Sequence, residues 1–181
     1  IAPLISNFSR LLLDQVYDGG EKEDMLAHMI FRERVSSRGE PALNRAPVSE
    51  LIDWANSEQE KIEKLSKAIM TFSTVEEGNS PLDHPKTVAV SEHAKALLDA
   101  ASDKEPVLQM IFEGAWPSGW SGSLADILET RAAAFEELLS HPSDGVRVLA
   151  TEKLEILRQA VRSNREKEAD DQNSREQRSL L

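Results

Sequence analysis

The chain has 181 residues, a net charge of −11 and no cysteine, and 40% of its residues are hydrophobic but only 5% are aromatic. This length suits one domain or a short helical array, and the missing cysteines exclude disulfides, thiol nucleophiles and thiolate metal sites. The acidic charge disfavours nucleic acid as a partner, and no apolar run is long enough to cross a membrane. We therefore expect a cytoplasmic protein whose core is built from aliphatic side chains.

Apolar residues recur at helical spacing through the first part of the chain. One stripe runs over 4–17 and a second over 21–35, with the Gly19-Gly20 pair between them, so this segment predicts a helical hairpin. A third stripe covers 48–72. The pattern leaves open whether 48–72 is one helix or two, although Ser57 and Glu60 fit a capping box at a break. We expect an N-terminal helical part over residues 1–72.

Residues 73–85 are rich in glycine, proline and polar side chains, which predicts a loop or linker. Helical pairs are expected over 86–162, with Pro85 opening the first helix. Further capping boxes are predicted at Ser102 with Glu105 and at Ser123 with Asp126. No segment alternates like a strand, and 87–90 is too short to count as one. The fold class is thus all-α: antiparallel helical hairpins in an orthogonal bundle or a short α-solenoid, with about 6–8 helices.

Residues 163–181 form a charged C-terminal extension that either continues as a helix in solvent or frays. A solvated extension is one interpretation. The alternative is a connector or an oligomer contact made through Leu180 and Leu181. Both ends of the sequence suggest a fragment of a larger intracellular protein.

One helical pair has a recognisable pattern between Phe135 and Leu157. A helix ends at His141-Pro142, and the next opens with Asp144, then Val146-Arg147, then the small Ala150. We expect Val146 and Ala150 to face the preceding helix. This segment resembles a HEAT repeat, clearest over residues 124–161, although Gly145 departs from the pattern. The resemblance implies an α-solenoid that binds partners, and it implies no catalytic residue.

A second resemblance rests on three features, which are the Trp120-Ser-Gly-Ser123 sequence, the His141-Pro142 turn and the charged tail. Together these features are similar to C-terminal helical regions of large bacterial multidomain proteins, including defence-type ATPases. That likeness would imply a regulatory or self-association domain of a larger bacterial ATPase, such as one of antiphage defence.

Residues for chemistry are sparse. Asp24 and His28 have the i, i+4 spacing of a helical metal pair, but a position at the edge of the core explains them better. The glycines at 119 and 122 lack the strand and lysine of a phosphate-binding loop, and the nearby serines suit caps and turns. We predict no catalytic residue, no metal and no cofactor.

The most distinctive feature is a loop that carries Trp116 and Trp120. Tryptophan is enriched at binding hot spots, so both residues are candidates for partner contact. They could instead seal the end of a helical core. The leading hypothesis is a non-catalytic protein-interaction or scaffold domain that binds a protein partner or a second copy. The regulatory ATPase domain is the alternative, and a small helical enzyme is the third.

Overall fold

The structure is a computed structural model that describes Leu11, Leu13, Asp14, Tyr17 and residues 41–74 and 88–179. The described residues are mostly helical, in agreement with the expected all-α class. They fall into two compact units. Unit 1 contains described residues of 1–73 and 90–111, and unit 2 contains those of 74–89 and 112–181.

The defined elements follow one another along the chain as a succession of short helices that ends in a long one. They are a 3-10 turn Ala42–Arg45, α1 Val48–Ala55, α2 Gln59–Ala68, β1 Phe72–Thr74, β2 Val88–Val90, α3 Glu92–Ala100, α4 Glu105–Glu113, α5 Leu124–Phe135, a 3-10 turn Glu136–Ser140 and α6 Asp144–Ser179. The six α-helices defined among the described residues lie within the expected number. The predicted helix 21–35 and the predicted linker 73–85, apart from its first two residues, lie outside the described residues.

The stripe over 48–72 forms two helices, because the backbone turns left-handed between them. Asn56 has φ 47° and Ser57 has φ 63°, and the Asn56 amide donates to the Ile52 carbonyl at 3.0 Å. Asparagine tolerates this conformation better than most residues, which suits it to end α1. The predicted capping box is wrong in detail, because the residue that precedes α2 is Glu58 and it makes no side-chain cap.

Unit 1 has an aliphatic core to which α1, α2, α3 and α4 all contribute buried side chains. Its buried side chains include Leu51, Ala55, Ile62, Leu65, Leu97, Leu98, Val107, Leu108 and Ile111. Trp54 is also buried, and its indole nitrogen donates to Asp14 Oδ1 at 2.7 Å, so its polar group is satisfied. Most of these buried residues recur at the three- and four-residue spacing of a helix face.

Polar side chains fix the connections within unit 1. Asn44 accepts from the Met70 amide at 2.7 Å, and Ser91 Oγ donates to the Met70 carbonyl at 2.7 Å. Ser91 also accepts from the Ala94 amide at 3.2 Å, so it is the N-cap of α3. The prediction that Pro85 opens this helix is wrong, because α3 begins at Glu92.

The expectation that no strand occurs is also wrong. Residues Phe72–Thr74 and Val88–Val90 pair in a two-stranded sheet. Each strand has only three residues, so an alternating pattern had too little length to be visible in the sequence.

The start of α4 corrects another predicted cap. Asp103 Oδ1 accepts from the Glu105 amide at 3.1 Å, whereas Ser102 Oγ donates to Gln59 at 3.1 Å. Lys104 then donates to three carbonyls at the end of α3, those of Leu98, Asp99 and Ala101. A cation at this position neutralises the negative end of the helix dipole.

Unit 2 is an antiparallel hairpin of α5 and α6 joined by the 3-10 turn. Residues later in α5 and in the 3-10 turn contact residues earlier in α6, so the two helices run in opposite directions. Glu136 pairs with Arg158 at 2.6 Å, while Asp126, ten residues earlier, pairs with Arg165 at 3.0 Å. The buried side chains are Ala115, Ala125, Leu128, Ala132, Ala134, Phe135, Leu138, Val146, Ala150, Leu154 and Leu157.

The turn between the two helices is tightly bonded. Arg147 Nη1 donates to the carbonyls of His141 and Pro142 at 2.5 and 2.9 Å, and its guanidinium also pairs with Asp144. Val146 and Ala150 are buried, as the sequence predicted. Asp144 is the first residue of α6, and Gly145 is accommodated within the first turn.

The charged tail is helical through Ser179, which answers the question of helix or fraying for the described residues. The 36 residues of α6 give a length of about 54 Å at 1.5 Å per residue, whereas α5 has 12 residues. No described helix is both long enough and apolar enough to span a membrane.

Candidate functional site

The candidate site is the tryptophan loop, residues 114–123, which joins α4 to α5 in unit 2. Proline, three glycines and three serines in this stretch oppose a continued helix. Gly122 has φ 80°, a conformation that residues with a side chain rarely adopt. The loop is nevertheless held at both of its ends.

Arg131 of α5 holds the beginning of the loop. Its Nη1 donates to the carbonyls of Ala115 at 2.9 Å and Gly114 at 3.3 Å. These carbonyls follow the last turn of α4, where backbone acceptors lack helical partners. Burial lowers the pKa of Arg131 from its ordinary value. Arg131 therefore links the beginning of the loop to α5 by two hydrogen bonds.

Ser123 and Glu168 hold the end of the loop. Ser123 Oγ accepts from the Asp126 amide at 3.0 Å, which confirms the predicted N-cap of α5. The same hydroxyl donates to Glu168 Oε2 at 2.7 Å, and the Ala125 amide donates to Glu168 Oε1 at 3.1 Å. These bonds, that of Ser123 first, hold the pKa of Glu168 below its ordinary value.

Trp116 lies at the end of an aromatic row that leads into the core. Its ring packs edge-to-face on Phe112 at 4.7 Å, and Phe112 in turn packs edge-to-face on the buried Phe135 at 6.4 Å. Lys153 Nζ lies 5.0 Å from the centre of the Phe112 ring. Trp116 is still 39% exposed. Its contacts favour the role of sealing the core.

Trp120 is 55% exposed and projects from the middle of the loop between two concavities. The first, which we call the α5 groove, has a volume of about 410 Å³ and is lined by Pro117, Ile127, Thr130 and Arg131. The second, the α6 groove, has a volume of about 910 Å³. Trp120 contributes to the walls of both grooves.

The opposite wall of the α6 groove is the distal part of α6. Its lining residues there, spaced by three and four along the helix, are Lys167, Glu168, Asp171, Gln172, Arg175 and Glu176. The α5 groove combines apolar side chains with a half-buried cation. One tryptophan thus borders two concavities, each of which is lined by both apolar and polar side chains.

The other residues considered for chemistry are used structurally or lie outside the described residues. His93 Nε2 lies 2.9 Å from the Ala46 carbonyl, and His141 Nδ1 accepts from the Ser143 amide at 3.1 Å. Asp24, His28 and His84 are outside the described residues. Over the residues that the structure describes, no group of three or more His, Cys, Asp or Glu side chains could hold a metal ion.

Sequence reasoning named Trp116, Trp120 and Ser123 but missed Glu168 and Arg131. Glu168 lies 45 residues from Ser123, in a tail whose composition indicated only solvent exposure. Arg131 is the single cation within α5, which was a usable signal for a half-buried contact.

No protein-family model, curated protein or solved structure matches the chain.

Proposed function

We propose that this chain is a non-catalytic protein-interaction domain that engages its partner through the tryptophan loop, with Trp120 as the anchor. The observation that carries the proposal is the exposure of Trp120 between two grooves. A large aromatic side chain beside a concavity provides much apolar area at a small cost in conformational entropy, which is why tryptophan dominates many interfaces.

The anchoring of the loop supports the same proposal. Arg131 holds its first carbonyls, and Ser123 with Glu168 holds its last residues. A loop ordered before binding loses little conformational freedom when a partner arrives, so more of the contact energy contributes to affinity. A loop that served only as a connection would not need to present an exposed tryptophan from a fixed frame.

The partner that suits these surfaces is a protein segment with an apolar side chain for the α5 groove. Polar or charged side chains would face Lys167, Asp171 and Arg175 across the α6 groove. This wall carries charges of both signs. Such a wall favours a partner with complementary charges in a fixed register over a partner whose charges are all of one sign. The partner is a second protein or a second copy of this chain.

The HEAT-like character of residues 124–161 belongs to this proposal. It is supported by the antiparallel α5–α6 hairpin, the buried Val146 and Ala150, and the bonds of Arg147 to the turn. Hairpins of this kind bind partners along exposed edges and loops. A cytoplasmic location is part of the same proposal.

Site-specific photocrosslinking tests the proposal. A photoreactive benzoylphenylalanine replaces Trp120 in one variant and Val148 in a control. Val148 is 59% exposed on α6, about 30 Å along the helix from Glu168. We expect adducts from position 120 that an excess of the unmodified chain suppresses and an excess of the Trp120→Ala chain does not.

The mass of the adduct separates the two kinds of partner. An adduct with the mass of two chains identifies self-association, and any other discrete mass identifies a second protein. The proposal fails if position 120 gives no adduct, or if it gives the same adducts as position 148. It also fails if the Trp120→Ala chain competes as well as the wild type.

A further inference from the structure

One glutamate of the tail caps a helix that precedes it by more than forty residues. Both carboxylate oxygens of Glu168 are used: Oε2 by the Ser123 hydroxyl and Oε1 by the Ala125 amide. The Ser123 hydroxyl simultaneously accepts from the Asp126 amide. Helix N-termini have unpaired amide donors and favour negative charge, so the first turn of α5 is a suitable binding site for this carboxylate, which accepts both bonds.

Beyond Glu168, α6 extends past the first residue of α5 and alongside the tryptophan loop. Residues 169–178 are exposed, and Ala169 is the only apolar residue among them. No burial of large apolar side chains can therefore fix this stretch. Besides the continuity of α6 itself, the contacts that fix its direction are the polar ones just before it, those of Glu168 and Arg165.

We propose that Glu168 is a latch that fixes the distal part of α6 opposite Trp120 and thereby sets the width of the α6 groove. When the latch is closed, Asp171, Gln172 and Arg175 stand at a defined distance from the tryptophan. When it is open, the groove has only one fixed wall. Glu168 is a positioning residue, and the latch rests on the proposed function only for its consequence in binding.

The charged groups around the latch are arranged to keep it closed. Arg165 pairs with Asp126 at 3.0 Å and with Glu129, whose charge is the main reason that the pKa of Arg165 is raised. Lys167 and Asp171 flank Glu168 on its own helix. An isosteric substitution at neutral pH changes one side chain alone, so it tests the latch more cleanly than acidification does.

The test compares Glu168→Gln with the matched control Glu166→Gln, which removes the same charge from an exposed position two residues away. Because the chain has no cysteine, single cysteines at Gly119 and Arg178 accept spin labels specifically. Pulsed electron paramagnetic resonance then gives the distribution of distances across the groove. We expect a narrow distribution in the wild type and in Glu166→Gln, and a broad one in Glu168→Gln.

Hydrogen exchange provides a second readout that does not depend on labels. The protection of the Ala125 amide should fall by about tenfold in Glu168→Gln and stay unchanged in Glu166→Gln. Ser123→Ala should broaden the distance distribution partly, and adding it to Glu168→Gln should have no further effect, because both act on one contact. Circular dichroism separates an open latch, which retains the helix, from an unfolded tail.

An unchanged distance distribution and unchanged Ala125 protection in Glu168→Gln would overturn the latch. A loss of helical signal equal to the distal half of α6 would also overturn it, because Glu168 would then support the helix itself. Neither measurement involves a partner. The latch can therefore fail while crosslinking at position 120 succeeds, and the reverse is equally distinguishable.

Discussion

The two ends of the unit 2 hairpin are built differently. At the turn end, Arg147 bonds two backbone carbonyls and Val146 is buried, so the helices are closed by a short, satisfied connection. At the other end, α6 extends past the first residue of α5. The ten-residue tryptophan loop that leads into α5 lies at this end, and Trp120 in it is more than half exposed. The open end therefore presents an exposed tryptophan, whereas the turn end is closed by buried and hydrogen-bonded residues.

The largest expected effect is the destabilisation of the whole α5–α6 hairpin, including both of its ends. Leu157 is fully buried in α6, and replacing it with alanine should lower the free energy of unfolding by about 3 kcal/mol through lost burial and a cavity. Urea denaturation followed by circular dichroism measures this. Ile156→Ala, one residue away but 48% exposed, is the control and should cost less than about 1 kcal/mol. Equal costs would mean that the hairpin interface is placed wrongly.

The two tryptophans should separate stability from contact. Trp116→Ala removes the edge-to-face packing on Phe112 and should cost about 2 kcal/mol. Trp120→Ala, at the more exposed position, should change stability by less than about 0.5 kcal/mol. Thermal unfolding of the two variants side by side checks this, and a larger cost for Trp120→Ala would contradict the distinction between them.

Much of this hairpin was predictable from sequence, and the open end was not. The apolar spacing predicted the buried Val146 and Ala150, and the Ser123 cap followed from its distance to Asp126. These are local relations within one or two helical turns. The contact of Ser123 with Glu168 joins residues far apart in the chain, and no local pattern marks it.

Other features escaped prediction because few residues determine them. Whether 48–72 was one helix or two stayed open, because the apolar stripe does not register the two left-handed residues, Asn56 and Ser57, that end α1. The strands have three residues each. Trp116 packs on Phe112, four residues before it. A four-residue spacing predicts contact within a helix, but α4 ends at Glu113, so the sequence did not indicate that the two rings would meet.

The stability of the open end should depend on pH through the carboxylate of Glu168. An unfolded glutamate titrates near pH 4.3, and the pKa of Glu168 is lower in the fold. A depressed folded pKa contributes stability above the unfolded value, and this contribution is lost as the pH falls through the folded value. The wild type should therefore be more stable than Glu168→Gln at pH 7, and this difference in unfolding free energy should shrink as the pH falls through the folded pKa of Glu168.

Unfolding curves of both proteins at several pH values measure this difference, with Glu166→Gln as the control. A wild-type advantage that persists unchanged at pH 3 would show that the carboxylate is not the stabilising form.

The smallest effects should have opposite signs at the two ends. Gly145 lies in α6, and a Cβ there would meet only Ser143 Oγ, at an ordinary 3.8 Å. Gly145→Ala should therefore stabilise the hairpin by about 0.5–1 kcal/mol. Gly122→Ala should destabilise it by about 1 kcal/mol, because φ at this position is 80°. Equal signs in thermal unfolding would contradict the backbone conformation of one end.

The central claim is that Trp120 at the open end binds the partner. The most direct test measures the affinity of the partner identified by crosslinking, or the self-association constant if that partner is a second copy. Titration calorimetry would compare wild type, Trp120→Ala and Val148→Ala. We expect Trp120→Ala to weaken binding by about thirtyfold or more, the loss typical of a hot-spot tryptophan, and Val148→Ala to leave it unchanged. Equal affinities for all three chains would contradict the claim.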